Sequence, residues 1–118
     1  MQGLPGERIL MRIHIGERDK HDGRPLYEAI LLLLRARHLA GATVLRAIGG
    51  FGANARLHTD RVLRLSLDLP IIVECVDTKE RVDAILPELD QMIEGGLITL
   101  EPVQVVIYRG HPSGEAST

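Results

Sequence analysis

A glycine-rich segment near the middle of the chain is the part of the sequence best suited to binding a ligand. Three glycines, Gly49, Gly50 and Gly52, follow the apolar segment 43–48 within four positions. Because glycine lacks a Cβ atom, backbone N–H groups at such a turn can point toward an anion and let it approach closely. The alternative is a tight turn or bulge that binds nothing, since glycine-rich turns are common. Both interpretations fit the sequence at this point.

Two arginines and one phenylalanine could complete such a site. Arg46 lies within the predicted strand, where its guanidinium needs a partner, either Glu74 across a subunit interface or a ligand phosphate. Arg109 follows the last predicted strand and is either a phosphate contact or part of a frayed end. Phe51, the single phenylalanine, is interpreted as a core residue, with a subunit contact and stacking on a base as the alternatives.

The segment 53–64 is polar and locally positive. It carries Arg56, His58 and Arg61, and it contains few large apolar side chains before Val62. Such a run is either a loop that contacts a partner protein or a solvated surface. We expect it to be the most mobile internal segment of the chain.

The sequence contains no recognisable catalytic or metal-binding constellation. The five histidines lack the spacing of metal ligands, so no metal site is predicted. The lone Cys75 is expected to be a small core residue. Glu17, Asp19 and Asp22 form an acidic segment that is only weak evidence for a cation site. No catalytic residue is assigned, and the sequence favours a binding module over an enzyme.

Composition restricts the class of protein further. A chain of 118 residues fits one domain, and a composition of 45% hydrophobic but only 3% aromatic residues predicts an aliphatic core. A net charge of −2 disfavours nonspecific nucleic-acid binding. The longest apolar run, residues 29–34, is far shorter than the ~20 residues that span a bilayer, so no membrane insertion is expected. The single cysteine and the polar N-terminus favour the cytoplasm.

Hydrophobic periodicity predicts two helices and four strands. A helix beginning after Pro25 is expected to end near Gly41, a second helix is expected to be capped by Asp77 or Thr78, and Pro87 should kink it. Pro102 requires an edge strand or a bulge. The predicted strands are 8–15, 43–48, 69–76 and 97–108, and the predicted helices are 26–39 and the segment from 78 to about 94.

This order predicts an α+β fold, the ferredoxin-like split βαβ sandwich with element order βαββαβ. Two helices would cover one face of a four-stranded antiparallel sheet. The domain is expected to span residues 8–109, with flexible termini at 1–7 and 110–118. Because the other face carries apolar residues such as Leu10, Val103 and Val105, we expect self-association.

Several spaced motifs carry a resemblance to a known family. The chain is similar to the PII-like family known as domain of unknown function 190, and the similarity covers residues 8–107. The resemblance implies a cytoplasmic ferredoxin-like trimer similar to the PII signalling proteins. The motifs are Ile15-Gly16-Glu17 with Asp19-Lys20, Gly23-x-Pro25-Leu26-Tyr27-Glu28, Gly41-Ala42-Thr43-Val44 with Arg46, Gly50-Phe51-Gly52, His58-Thr59, Asp68-Leu69-Pro70 and Leu86-Pro87.

The resemblance implies a ligand site between subunits. PII proteins hold an adenine nucleotide there, which would place Thr43 near the base, Gly50, Phe51 and Gly52 near the ribose or phosphate, and residues 53–64 in the partner loop. This chain has one extra residue before Gly50, and Glu94-Gly95-Gly96 replaces the Gly- and Lys-rich loop that holds a triphosphate. AMP or ADP is therefore the expected effector, if a nucleotide binds.

Two hypotheses from different classes follow. The first is a homotrimeric PII-like regulator that binds AMP or ADP and contacts an unidentified partner protein, with a membrane transporter as one option. The second is a structural or metal-handling trimer of the copper-tolerance type that binds no nucleotide.

Overall fold

The computed structural model describes residues 4–51, 58–59 and 68–110. The predictions made for Gly52, Arg56 and Arg61, and for residues 111–118 of the expected C-terminal tail, lie outside the described residues. For His58 and Thr59 the structure gives the backbone only.

The chain has the predicted architecture of two strand–helix–strand halves that share one sheet. Strands β4 (Thr43–Arg46), β7 (Pro70–Asp77), β1 (Gly6–Gly16) and β8 (Leu97–Val105) form, in that order, one sheet in which every neighbouring pair is antiparallel. The ferredoxin-like fold class is thereby confirmed. The elements in chain order are β1 (Gly6–Gly16), β2 (Lys20–His21), β3 (Arg24–Pro25), α1 (Leu26–Ala36), β4 (Thr43–Arg46), β5 (Gly49–Gly50), β6 (His58–Thr59), β7 (Pro70–Asp77), α2 (Lys79–Met92) and β8 (Leu97–Val105).

The core lies between the sheet and both helices and is aliphatic, as predicted. Alternate residues of the two central strands point toward the helices because side chains alternate along a strand. The buried cluster consists of Met11, Ile13, Ile15, Leu26, Ile30, Leu34, Ile71, Val73, Cys75, Val82, Ile85 and Leu89. Cys75 is only 4% exposed, and this burial, with a contribution from Asp77, raises the pKa of its thiol to about 12. Cys75 is therefore a core residue, as expected, and carries no charge at neutral pH.

Helix α1 ends three residues earlier than predicted, and Gly41 does not close it. His38 adopts the left-handed conformation with φ 62. Its N–H bonds the Arg35 carbonyl at 3.0 Å, and the Leu39 N–H bonds the Leu34 carbonyl at 3.0 Å. These bonds form a Schellman ending, which satisfies the last carbonyls of the helix. The prediction was wrong because a histidine performs the role expected of a glycine.

Helix α2 begins at one of the two predicted caps. The Thr78 hydroxyl accepts a hydrogen bond from the Arg81 N–H at 3.3 Å. Asp77, 1% exposed, accepts one from the Thr78 N–H at 2.7 Å and one from the Ala40 N–H at 2.9 Å. These two bonds connect the start of α2 to the segment before β4. The helix continues through Pro87 to Met92, although Pro87 has no N–H to donate.

Glycine and proline residues lie at turn and edge positions that suit their backbone preferences. Asp22 (φ 50) and Gly23 (φ 82) form the two-residue turn between β2 and β3, as a type I′ hairpin requires. Pro102 lies in β8, which is an edge strand as predicted. Strand β1 begins at Gly6, two residues before the predicted start, and Leu4 is buried.

The sheet face opposite the helices is mixed in character. Cross-strand register places Leu10, Ile72 and Leu45 on this face, together with Val103 and Val105. Arg12 lies between two carboxylates at its centre, with its Nε 2.8 Å from Glu74 and its Nη1 2.5 Å from Glu101. We call this surface the open face.

The turn between α2 and β8 predicts a strong difference between two adjacent glycines. A Cβ atom at Gly96 would lie 2.6 Å from the His14 carbonyl oxygen, whereas one at Gly95 would meet nothing within 4 Å. We expect Gly96→Ala to lower the free energy of unfolding by about 1–3 kcal/mol because backbone must shift. Gly95→Ala is the matched control and should be close to neutral in the same urea titration. Equal stabilities for the two variants would contradict the described packing.

The end of α1 predicts a stabilising substitution. His38→Gly should raise the free energy of unfolding by about 0.5–1 kcal/mol, because glycine adopts a positive φ without the steric cost of a Cβ atom. Ala36→Gly, at the last residue of the helix, where the backbone is helical and gains nothing from a glycine, should lower it by up to about 0.5–1 kcal/mol. Thermal or chemical unfolding measures both changes. A lower free energy of unfolding for His38→Gly would contradict the steric cost assigned to the left-handed histidine.

Candidate functional site

Two successive carbonyl groups fix the backbone on both sides of the candidate site. The Glu17 N–H, just after β1, donates to the Leu69 carbonyl at 2.9 Å, and the Ala47 N–H, just after β4, donates to the Pro70 carbonyl at 2.9 Å. Strands β1 and β4 end here and β7 begins here. We call this part of the sheet the Pro70 end.

Arg46 and Glu17 form an ion pair at the Pro70 end. The Arg46 Nε lies 3.1 Å from the Glu17 Oε1, and the two side chains are 49% and 29% exposed. Glu74, considered above as a partner for Arg46, instead accepts from Arg12 within this chain. Among the described residues, Arg46 therefore has a carboxylate partner but remains accessible to a ligand.

The glycine turn begins immediately after this pair. Gly49 and Gly50 form β5 and pair antiparallel with β6, so that Gly50 lies opposite His58 and Gly49 opposite Thr59. A Cβ atom at Gly50 would come within 3.2 Å of the Pro70 Cγ. The close packing on Pro70 thus gives a structural reason for a glycine at position 50. The β5–β6 pairing brings His58 of the predicted partner loop to the glycine turn.

Phe51 does not belong to the core. Its side chain is 70% exposed, and nearby Ile48 is 82% exposed. The core interpretation was wrong because β4 is an edge strand that ends at Arg46, so the chain has left the helix-covered sheet before it reaches Phe51. A subunit contact and contact with a base remain as the two interpretations of this residue.

Thr43 and Arg109 lie away from the glycine turn. Thr43 begins β4, three strand steps or about 10 Å from Arg46. The Tyr108 hydroxyl donates to the Ala40 carbonyl at 2.6 Å, which attaches the segment before Arg109 to the chain just ahead of Thr43. A single chain therefore brings four candidate residues together at the Pro70 end, namely Arg46, Gly49, Gly50 and Phe51. Thr43 and Arg109 lie toward the opposite end of β4.

Among the clefts formed by the described residues, two of ligand size lie elsewhere, and neither is lined by a predicted site residue. One, of about 570 Å³, is formed between α2 and the start of β8 and contains three carboxylates, those of Asp83, Asp90 and Glu94. The other, of about 610 Å³, lies between the β2–β3 hairpin and both helices and includes His21 and Arg24. The carboxylates make the first cleft unsuited to phosphate.

Sequence reasoning missed Glu17 as a partner of Arg46, although it noted the acidic segment around it. Two carboxylates of this region hold the backbone: Asp19 accepts from the Gly16 N–H at 3.0 Å and Asp68 from the Arg18 N–H at 3.0 Å. Within residues 4–51, 58–59 and 68–110, no group of three or more His, Cys, Asp or Glu side chains could hold a metal ion. Within the acidic segment, Glu17 thus pairs with Arg46, Asp19 holds the backbone, and Asp22 lies in the β2–β3 turn.

The structure has known relatives of the same fold. A PII-like protein, CPII from Thiomonas intermedia, bound to ADP, AMP and bicarbonate, matches with a TM-score of 0.60 at 16% identity, covering 84% of this chain and 88% of that one. CPII bound to ADP and bicarbonate matches with a TM-score of 0.55, also at 16% identity, and with the same coverage of both chains. At this identity the likeness concerns the fold. None of the helices in the described part of the chain is long and apolar enough to span a membrane.

Sequence comparison gives the family. A UPF0166 protein of Methanocaldococcus jannaschii is 36% identical over 102 residues, which are 86% of this chain and 92% of that protein. A UPF0166 protein of Aquifex aeolicus is 37% identical over 100 residues, which are 85% of this chain and 94% of that protein. The model of domain of unknown function 190, described as an uncharacterized ACR, matches residues 8–105. This chain therefore belongs to the family of domain of unknown function 190.

Proposed function

We propose that this protein is a homotrimeric, cytoplasmic PII-like regulator that binds AMP or ADP between subunits and contacts a partner protein through residues 53–64. The observation that carries the proposal is the arrangement at the Pro70 end. An accessible arginine, a glycine turn and an exposed phenylalanine are fixed together there, at the base of the proposed partner loop.

The chemistry of these groups suits a nucleoside phosphate. Arg46 offers a guanidinium to a phosphate, and a charge-assisted hydrogen bond of this kind contributes about 1.5–3 kcal/mol. Backbone N–H groups of the glycine turn can add further donors. Phe51 and Ile48 supply exposed apolar surface for a base or ribose. The solved structures of CPII contain adenine nucleotides in a protein of the same fold, which makes these ligands the first to test.

The separation of the candidate residues favours a site shared by two subunits. Thr43 and Arg109 lie toward the opposite end of β4 from the glycine turn, so a second copy would have to supply them if they contact the same ligand. The open face gives a reason for copies to associate, because its apolar residues are covered by neither helix. Trimer formation would place those residues against another subunit.

The expected preference for AMP or ADP over ATP rests on the turn after α2. Glu94 is exposed and precedes Gly95 and Gly96, and the adjacent cleft is lined by carboxylates. A terminal phosphate directed there would meet negative charge. Ligand binding could then change the population of one conformation of residues 53–64, provided that the ligand binds that conformation more tightly than the others.

One observation favours the second candidate function, a structural or metal-handling trimer without nucleotide binding. The packing of Gly50 against Pro70 explains that glycine without any ligand. The two candidate functions differ in whether the protein binds an added nucleotide.

The open face predicts the assembly state. At micromolar concentration the protein should scatter light as a particle of about three times the 13.0 kDa chain mass. Ile72→Glu places a charge on the open face and should lower the mass, whereas Ala84→Glu, on the exposed side of α2, adds the same charge and should leave it unchanged. A wild-type protein of monomer mass would contradict the proposed trimer.

Calorimetry tests the proposed ligand site. Arg46→Gln keeps much of the side-chain stem but removes the charge, and it should weaken AMP and ADP binding by about one to two decades in dissociation constant. Arg35→Gln, an exposed substitution on α1, removes the same charge elsewhere and should leave affinity unchanged. Equal affinities of wild type and Arg46→Gln would place the ligand elsewhere. A wild type that binds neither nucleotide would favour the structural function.

A further inference from the structure

The ion pair at the Pro70 end gives Glu17 an influence on any anion that reaches Arg46. Glu17 is held at its backbone and at its side chain, because its N–H bonds the Leu69 carbonyl and its Oε1 contacts the Arg46 Nε. The backbone of Ala47, next to Arg46, is held by the adjacent Pro70 carbonyl. The start of β7 therefore holds the backbone at both charged residues, which keeps their side chains close to each other.

This pairing has two opposing effects on a bound anion. The contact with Nε restricts the orientation of the guanidinium, and a fixed planar guanidinium binds oxyanions with less loss of conformational freedom. The carboxylate charge, however, cancels that of the arginine and repels each charge of the ligand in turn. Because the attraction of Arg46 and the repulsion of Glu17 both grow with the number of ligand charges, Glu17 removes much of the advantage that a more highly charged anion would otherwise gain from Arg46.

We propose that Glu17 is a specificity-determining residue that cancels the advantage a more highly charged nucleotide would gain from Arg46, and so shifts the selectivity of the site toward AMP over ADP and ADP over ATP. The inference deepens the proposed function and rests on it. Glu17 acts through Arg46 and is a positioning residue in that sense, but its charge also acts directly on the ligand. With 29% of its side chain exposed, Glu17 is partly shielded from solvent, which preserves some of the repulsion against salt screening.

Two substitutions separate the two effects. Glu17→Gln removes the charge but keeps an oxygen that can accept from the Arg46 Nε, so the orientation of the guanidinium is retained. Glu17→Ala removes both the charge and the acceptor. Glu80→Gln, an exposed substitution in the first turn of α2, is the matched control, since it changes the net charge equally at the opposite end of the sheet.

The experiment is titration calorimetry with AMP, ADP and ATP at low salt, repeated at high salt. For Glu17→Gln we expect the ratio of the ATP to the AMP dissociation constant to fall at least about three-fold relative to wild type. This decrease in the ratio should be smaller at high salt, because salt screens part of the repulsion. Glu17→Ala should bind all three nucleotides more weakly than Glu17→Gln, and Glu80→Gln should show the wild-type ratio.

The outcomes distinguish this inference from the proposed function. If Arg46→Gln loses affinity but the ratio in Glu17→Gln equals that of wild type or of Glu80→Gln, charge selection by Glu17 is overturned and the proposed function stands. If wild type binds no nucleotide, the proposed function is overturned, and the inference, which rests on it, is overturned with it.

Discussion

The carbonyl groups of Leu69 and Pro70 impose the constraint on which the candidate site depends. They accept hydrogen bonds from the chain just after β1 and just after β4, and they lie where β7, a central strand of the sheet, begins. The same proline limits the space beside Gly50. Because β7 is also part of the aliphatic core through Ile71 and Val73, the position of Arg46 and Glu17 is set by core packing rather than by the loop that follows. A binding group can be precise here even if its neighbouring segment changes conformation.

The sequence predicts the fold well because the fold depends on periodic, redundant signals. Alternation in β1 and β7 and the apolar stripes of the helices each involve many residues, so the loss of one would not change the prediction. The end of α1 was misplaced because a single left-handed histidine at position 38 ends it, and a histidine carries no turn signal of the strength of Gly41. Element boundaries that depend on one residue's backbone conformation are difficult to obtain from periodicity.

The candidate site was predicted less completely, for a different reason. The glycine turn and Arg46 were identifiable from residue type and spacing along one segment. The pairing of Arg46 with Glu17 joins positions 29 residues apart, and no local pattern reveals it. Phe51 was assigned to the core because it is apolar and is the single phenylalanine, but burial is a property of the assembled sheet, and β4 ends too early to bring position 51 under a helix. Thr43 became a candidate through a resemblance to proteins with sites between subunits, and Arg109 through its charge and its position after the last predicted strand. One chain leaves both apart from the turn.

The proposed function requires an adenine nucleotide to bind at the Pro70 end, between subunits. A crystal structure of the protein grown with AMP gives the assembly and the ligand position together and is the sharpest test. We expect electron density for the phosphate within hydrogen-bonding distance of Arg46 and the Gly49–Gly50 turn, with residues of a neighbouring subunit contacting the rest of the nucleotide. Density instead in the cleft between the β2–β3 hairpin and the helices, contacted by a single chain, would contradict it.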